Sequence, residues 1–246
     1  MEVEASAINA APTRRRVITA PFRNQRSRLR IEPRVETCQC GYMKKVSDDP
    51  LSEDRDGFRF RGDCPAIDLA ATLQGRLKPA PRELLATPDD LDRWLVSAGL
   101  IGSRPGADED DLRLARTLRE AIFTLAGNVL EGALDAGAVE ALNRIAAMPA
   151  AIPALRTDGG VAIEPSASGL LSTLAREAIH LFGSENAARL RQCEAPACTI
   201  FFVDMSRSGD RRWCSMAACG NKAKVAEFRR RKREVDGGKS RLPTKP

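Results

Sequence analysis

The chain has 246 residues and a mass of 26.8 kDa, enough for one medium or two small domains with a buried core. Hydrophobic residues make up 43% and charged residues 29%, but aromatics only 4%, so a core must be built from Leu, Ala, Ile and Val. No run approaches the roughly 18 apolar residues of a membrane span. The start, Met1-Glu2-Val3-Glu4, has neither a basic flank nor an apolar stretch, so the sequence predicts a soluble, unexported, cytoplasmic protein with no membrane partner.

The net charge of +6 divides by region. Residues 1–62 hold 13 Lys and Arg against 9 Asp and Glu, residues 63–188 hold 11 against 18, and residues 189–246 hold 15 against 6. A basic tail on an acidic body suits a module that meets a polyanion joined to one that does not, although it also describes a solvated tail. Seven cysteines without a signal peptide argue against a disulfide framework.

Residues 1–62 show no sustained period and carry repeated Arg, Asp and Pro, so they are expected to be largely disordered. Cys38-x-Cys40 lacks a partner pair and reads as incidental, and Met43 offers a later translational start. Order is expected from Cys64, with Ala66, Ile67, Leu69, Ala70 and Leu73 on a short helix ending at Gly75. Thr87, Pro88 and Asp90 form a box-like start, Gly99 a stop, and Leu91, Trp94, Leu95 and Ala98 the buried stripe of the next helix. A longer helix follows over about 108–131, with the stripe Ala115, Leu118, Ile122, Leu125 and Val129, then a shorter one through Val139, Leu142, Ile145 and Ala146. Asp158-Gly159-Gly160 predicts a β-hairpin between residues 152–157 and 161–164. Ser166 or Ser168 then opens a helix that buries Leu171, Leu174, Ala178, Leu181 and Phe182. The only histidine, His180, lies on that helix with no catalytic partner around it. No phosphate loop or paired acid of recognised spacing asks for an enzyme.

The chemistry concentrates in Cys193-x4-Cys198-x15-Cys214-x4-Cys219. Zinc takes a tetrahedron of thiolates, and two close pairs supply four ligands without a long ordered loop. With all four positions filled by protein, one Zn2+ would fold the domain and not activate water. Residues 199–204 read as a strand, 205–210 as a polar turn and 211–213 as a second strand, after which Ser215 caps a helix that continues to Arg233. A knuckle, a hairpin and a helix make a treble-clef-like finger, with Phe201, Val203, Trp213, Val225 and Phe228 covering the metal.

At 100° per residue, Lys222, Arg229 and Arg233 fall within about 40° of each other on this helix, a face suited to a major groove. Arg207, Arg211 and Arg212 are placed to hold phosphates. Some of these cations could instead neutralise a four-thiolate zinc centre, which carries a net charge of −2.

Arg191-x-Cys193-x4-Cys198, Phe202-x-Asp204-x-Ser206-Arg207 and Arg211-Arg212-Trp213-Cys214-Ser215-Met216-x-x-Cys219-Gly220-Asn221-Lys222 together resemble the CGNR-type zinc-finger proteins of bacteria. Family members usually have Arg where this chain has Lys222. Upstream, Asp68-Leu69-x-x-Thr72, Glu83-Leu84-Leu85, Asp90-Leu91-x-x-Trp94-Leu95-x-x-x-Gly99-Leu100 and Leu118-Arg119-Glu120-Ala121-Ile122 are similar to the ABATE domain that precedes this finger. That domain usually carries Asp-Phe-x-Asn-Thr, and here Ala71 replaces the Asn.

The resemblance implies a stress-responsive transcription regulator with an N-terminal sensing domain and a C-terminal DNA-binding finger. The expected fold is mainly α with a small β-hairpin (α+β), a helical N-terminal domain preceding a treble-clef-like zinc finger with four cysteine ligands. The expected organisation is a disordered extension over 1–62, an ABATE-like domain over 63–185, a finger with its basic helix over 189–233 and a disordered tail over 234–246. The expected partners are duplex DNA, a small-molecule or protein effector, and a second copy in a homodimer. The alternative is an RNA-binding or protein-interaction module on the same zinc site. The sequence leaves open the effector, the target DNA sequence, activation against repression, and the roles of Cys38, Cys40 and Cys64.

Overall fold

A computed structural model describes residues 53–164 and 166–239. Most of the expected N-terminal extension, with Cys38, Cys40 and Met43, lies outside the described residues, as does the tail from residue 240. The last ten residues of the supposed extension are ordered. Strands β1 (Asp54–Arg55) and β2 (Phe58–Arg59) pair antiparallel around Asp56 and Gly57, whose φ values of 48° and 82° make the primed turn that matches strand twist. Phe58 is buried, and Phe60 stacks on Trp94 at 6.2 Å.

Helix α1 (Pro65–Ala70) is shorter than predicted, and five of its six residues are buried. It stops at Ala71 because Leu73–Gln74 (β3) turns away at Gly75, φ +67°, to pair with Arg82–Glu83 (β4). Helix α2 (Pro88–Ser97) begins as its sequence dictates, with Thr87 and Asp90 exchanging hydrogen bonds in a capping box and Gly99 left-handed at its end. Asp108 and Asp111 form a second box at the start of α3 (Glu109–Glu131), which Gly132 closes at φ +88°. Asp135 caps α4 (Ala136–Ala146), and Ser166 caps α5 (Ala167–Gly183). Between these two helices, β5 (Pro153–Leu155) and β6 (Val161–Ile163) form the predicted hairpin.

Helices α3, α4 and α5 pack on one another, and α1 and α2 lie against them. Trp94, Leu118, Ile122, Leu171 and Leu174 are wholly buried in this core. His180 is exposed on α5. No described helix is long and apolar enough to cross a membrane.

After a 3-10 turn at Glu185–Arg189, β7 (Leu190–Gln192) pairs antiparallel with β8 (Phe201–Val203). This replaces the predicted pairing of residues 199–204 with 211–213, because the Asp204 carboxylate already takes the N–H groups of Ser206 and Arg211, both at 2.9 Å. Asp204 thereby folds the loop with side-chain bonds where a ladder was expected. A π turn at Met216–Gly220 leads into α6 (Asn221–Lys239), which runs beyond the predicted end at Arg233 into the segment expected to be disordered.

Strand β8 alternates between two surroundings. Phe201 and Val203 belong to the helical core, where Phe201 meets Phe123 of α3 edge-on at 5.3 Å. Phe202, fully buried, points to the opposite side among Cys193, Ile200 and Cys214. The Val203 N–H also donates to the Gly62 carbonyl at 2.9 Å. The Gly62 N–H donates to the Asp68 carboxylate at 2.7 Å, and a Cβ on Gly62 would lie 2.7 Å from the Ile67 side chain, so only glycine fits there. Asp68 of α1 therefore holds the turn that receives the finger's strand.

Two outcomes follow. Truncating Phe201 to Ala leaves a void between β8 and α3 and should destabilise the chain by about 3–5 kcal/mol in denaturant titration, with Gln192→Ala on the exposed end of β7 as a near-neutral control. Burial pushes the Asp68 carboxyl up to about 8, against hydrogen bonds from Gly62 and Arg61 that favour its ionised form. Between roughly pH 4 and pH 8 the folded chain keeps a proton that the unfolded chain releases, so this group's stabilising contribution is lost as pH rises. The melting temperature of Asp68→Asn relative to the parent should accordingly rise from pH 5 to pH 8, and parallel curves would contradict the assignment.

Candidate metal centre and its basic helix

The four finger cysteines arrive from two turns. Cys193 and Cys198 flank a knuckle in which the Cys198 N–H donates to Ala195 O at 2.9 Å and the Cys193 N–H to Ile200 O at 3.0 Å. Cys214 and Cys219 flank Ser215, whose hydroxyl accepts from Ala218 N–H while its carbonyl takes the N–H groups of both Cys219 and Gly220. That wide π turn swings Cys219 back toward Cys214.

The four sulfurs lie within 4.8 Å of one another, and Cys214 Sγ is 3.8 Å from Cys198 Sγ and 3.7 Å from Cys219 Sγ. A tetrahedron with Zn–S bonds of about 2.3 Å requires sulfurs roughly 3.8 Å apart. A disulfide would need about 2.05 Å. Among the described residues this is the one group of three or more Cys, His, Asp or Glu donors arranged to hold a metal.

The donor chemistry agrees with the geometry. A hydrogen bond from Cys214 brings the Cys198 thiol down to about 5, with further help from the Ile200 backbone. Its partners move in the opposite direction: the bond to Cys198 and burial push Cys214 up, and burial with the Cys198 charge pushes Cys219 up to about 11. Four sulfurs this close ionise together only around a cation, and all-sulfur tetrahedral donors suit Zn2+. The residues fit one structural zinc held by Cys193, Cys198, Cys214 and Cys219.

The cover over these sulfurs differs from the predicted set. Phe202, Ile200, Trp213 and Ala71 of the helical domain pack around the cysteines. Phe201 and Val203 face the other way, because strand side chains alternate. Val225 is 48% exposed and Phe228 67% exposed on α6, so neither covers the metal. Ala71 sits directly in this contact. Cys64 is buried at the start of α1 within the helical core, apart from the four ligands.

The six cations expected at DNA separate into distinct settings. Lys222, Arg229 and Arg233 are exposed on one side of α6, and none of them is in an ion pair among the described residues. Glu227, which pairs with Arg230 and Arg231, lies on the opposite side of the helix. Arg207 is exposed on the loop after β8. Arg212 is exposed, bonds Glu194 at 2.6 Å and lies over the Trp213 ring. Arg211 is turned inward: its guanidinium bonds Asp63, Trp213 O and Cys214 O and lies 4.5 Å from the Phe202 ring centre. Its guanidinium is therefore engaged by partners within the chain. Asp63, Ala71 and Asp204, which shape the site, are not among the residues the sequence marks as functional, although Asp204-x-Ser206 is an Asx-turn signature.

Cys219→Ser should lower bound zinc from one per chain to well under one by elemental analysis after dialysis. Retention of a full equivalent would show that the metal is held by other groups.

Two family matches cover this architecture in order. The ABATE family, described as "Putative stress-induced transcription regulator", matches residues 63–185, and the CGNR zinc finger matches residues 189–232. Both are regulator or zinc-finger families, not enzyme families. A search of curated proteins returns no match. With the first match spanning half of the sequence and the second following it directly, the chain belongs to the ABATE family of regulators that carry a C-terminal CGNR zinc finger.

Proposed function

We propose that the chain is a transcription regulator that binds duplex DNA through α6, with the zinc turn fixing the start of that helix and the helical domain acting as the sensing element. The carrying observation is the row of exposed cations along one side of α6. Arg230 and Arg231 are paired with Glu227, while Lys222, Arg229 and Arg233 share the other side as exposed cations. A helix rooted on a structural metal and presenting unpaired cations along one side fits the width of a major groove and the spacing of phosphates. Arg207 and Arg212 are the outlying contacts in this reading. The protein would work in the cytoplasm of a bacterium, and one short finger makes few base contacts, which favours a homodimer on the DNA.

A second reading rests on the exposed Val225, Phe228 and Met216, apolar side chains that suit a protein surface or unpaired RNA bases. One titration separates the two. The full zinc-loaded chain is titrated into labelled duplex DNA and structured RNA by anisotropy at several salt concentrations. Replacing Lys222, Arg229 and Arg233 with Gln should weaken duplex binding and flatten the slope of log K against log salt by about 3. A preference for RNA would favour the second reading, and unchanged duplex affinity in the triple variant would remove α6 as the DNA face.

A further inference from the structure

Arg211 links the loop of the last two cysteines to the helical domain through its side chain. Its side chain is 28% exposed. The guanidinium donates to the Trp213 carbonyl at 2.9 Å, to the Cys214 carbonyl and to the Asp63 carboxylate, with the Arg61 carbonyl at 3.5 Å. It therefore grips the peptide of a metal ligand at one end and the turn before α1 at the other. The flat face of the same group lies over Phe202, which packs against Cys193 and Cys214. A lysine, with one compact ammonium, cannot reach both ends in this fork-like way.

The receiving turn is built to hold this contact. Asp63 has φ 57°, left-handed backbone that Asp and Asn tolerate better than most residues. Its neighbour Gly62 is pinned by Asp68 on the N–H side and by Val203 of β8 on the carbonyl side. Residues 61–63 thus touch the finger twice, through the β8 backbone and through Arg211.

We propose that Arg211 and Asp63 form a strap that ties the metal centre to the helical domain, making Arg211 a positioning residue for zinc. Its Nε and Nη2 donors hold the carbonyls of Trp213 and Cys214 on either side of the ligand, and the Asp63 carboxylate fixes the guanidinium through Nη1. A change in the turn at 61–63, from whatever cause, is then felt as a change in zinc retention. Reciprocally, metal loss loosens that turn. This inference stands independently of what α6 binds.

The test is zinc release from the full-length chain, followed with a chromophoric chelator. Asp63→Asn keeps the left-handed backbone and removes only the charge. Outer partners of metal ligands typically change metal affinity 10–100-fold, so release should quicken about tenfold. Asp56→Asn is the matched control, also left-handed and also paired with an arginine, Arg93, but without a path to the metal. It should leave zinc release unchanged, and an equal effect from it would reduce the strap to general destabilisation. Arg211→Gln should release zinc at least as fast as Asp63→Asn, Arg211→Lys should rescue it only partly, and the Asp63→Asn, Arg211→Gln pair should be no faster than Arg211→Gln alone. Release within twofold of the parent for Asp63→Asn, or additive effects in the double variant, would overturn the proposal.

Discussion

The structure depends on the two-sidedness of a three-residue strand. Successive side chains of a strand point to opposite faces, so Phe201 and Val203 can complete the helical core while Phe202 completes the zinc cluster. Neither side is optional. The helical domain would otherwise present a gap beside Phe123, and the finger would have to leave two large apolar residues in water. What the family matches divide into a regulator domain and a zinc finger is, in physical terms, one core joined to one metal cluster through β8.

The metal matters so much because the finger has little else. The apolar set around the metal amounts to the buried Ile200 and Phe202 and the half-buried Trp213 with the cysteines themselves, and Ala71 is borrowed from the helical domain. A core that small does not offset the chain entropy of the loops it orders. Zinc supplies the deficit by turning four mutually repelling thiolates into four bonds. The helical domain then supplies the orientation, through Gly62, Asp63 and the packing of Phe201. From this base α6 leaves the body with its cations directed outward, which is the arrangement a polyanion-binding helix requires.

Much of this was legible in the sequence wherever a local signal matched the tertiary outcome. The helix caps at Thr87 and Ser166, the Asp158-Gly159 hairpin and the two cysteine pairs all depend on residues close in the chain, and all appear in the structure. The cues that mislead are those decided by distant partners. Asp56-Gly57 is a strong hairpin signal, but the surrounding composition conceals it, since nothing local shows that Phe58 and Phe60 reach the core. The strand at 201–203 is legible and its partner is not, because Asp204 bonds the loop that a ladder would have used. Arg211 looks like Arg207 and Arg212 in sequence, and only its proximity to Asp63, 148 residues away, makes it internal.

The central claim, that helical core and metal cluster are one cooperative unit joined by β8, is tested most directly by hydrogen exchange on the full chain with zinc bound and after chelation. The account predicts that chelation removes protection from β7 and β8 and also from amides of α1 and α3, the helices against which those strands pack. Loss of protection confined to residues 189–239, with α1 and α3 unchanged, would show that the finger unfolds alone and would contradict it.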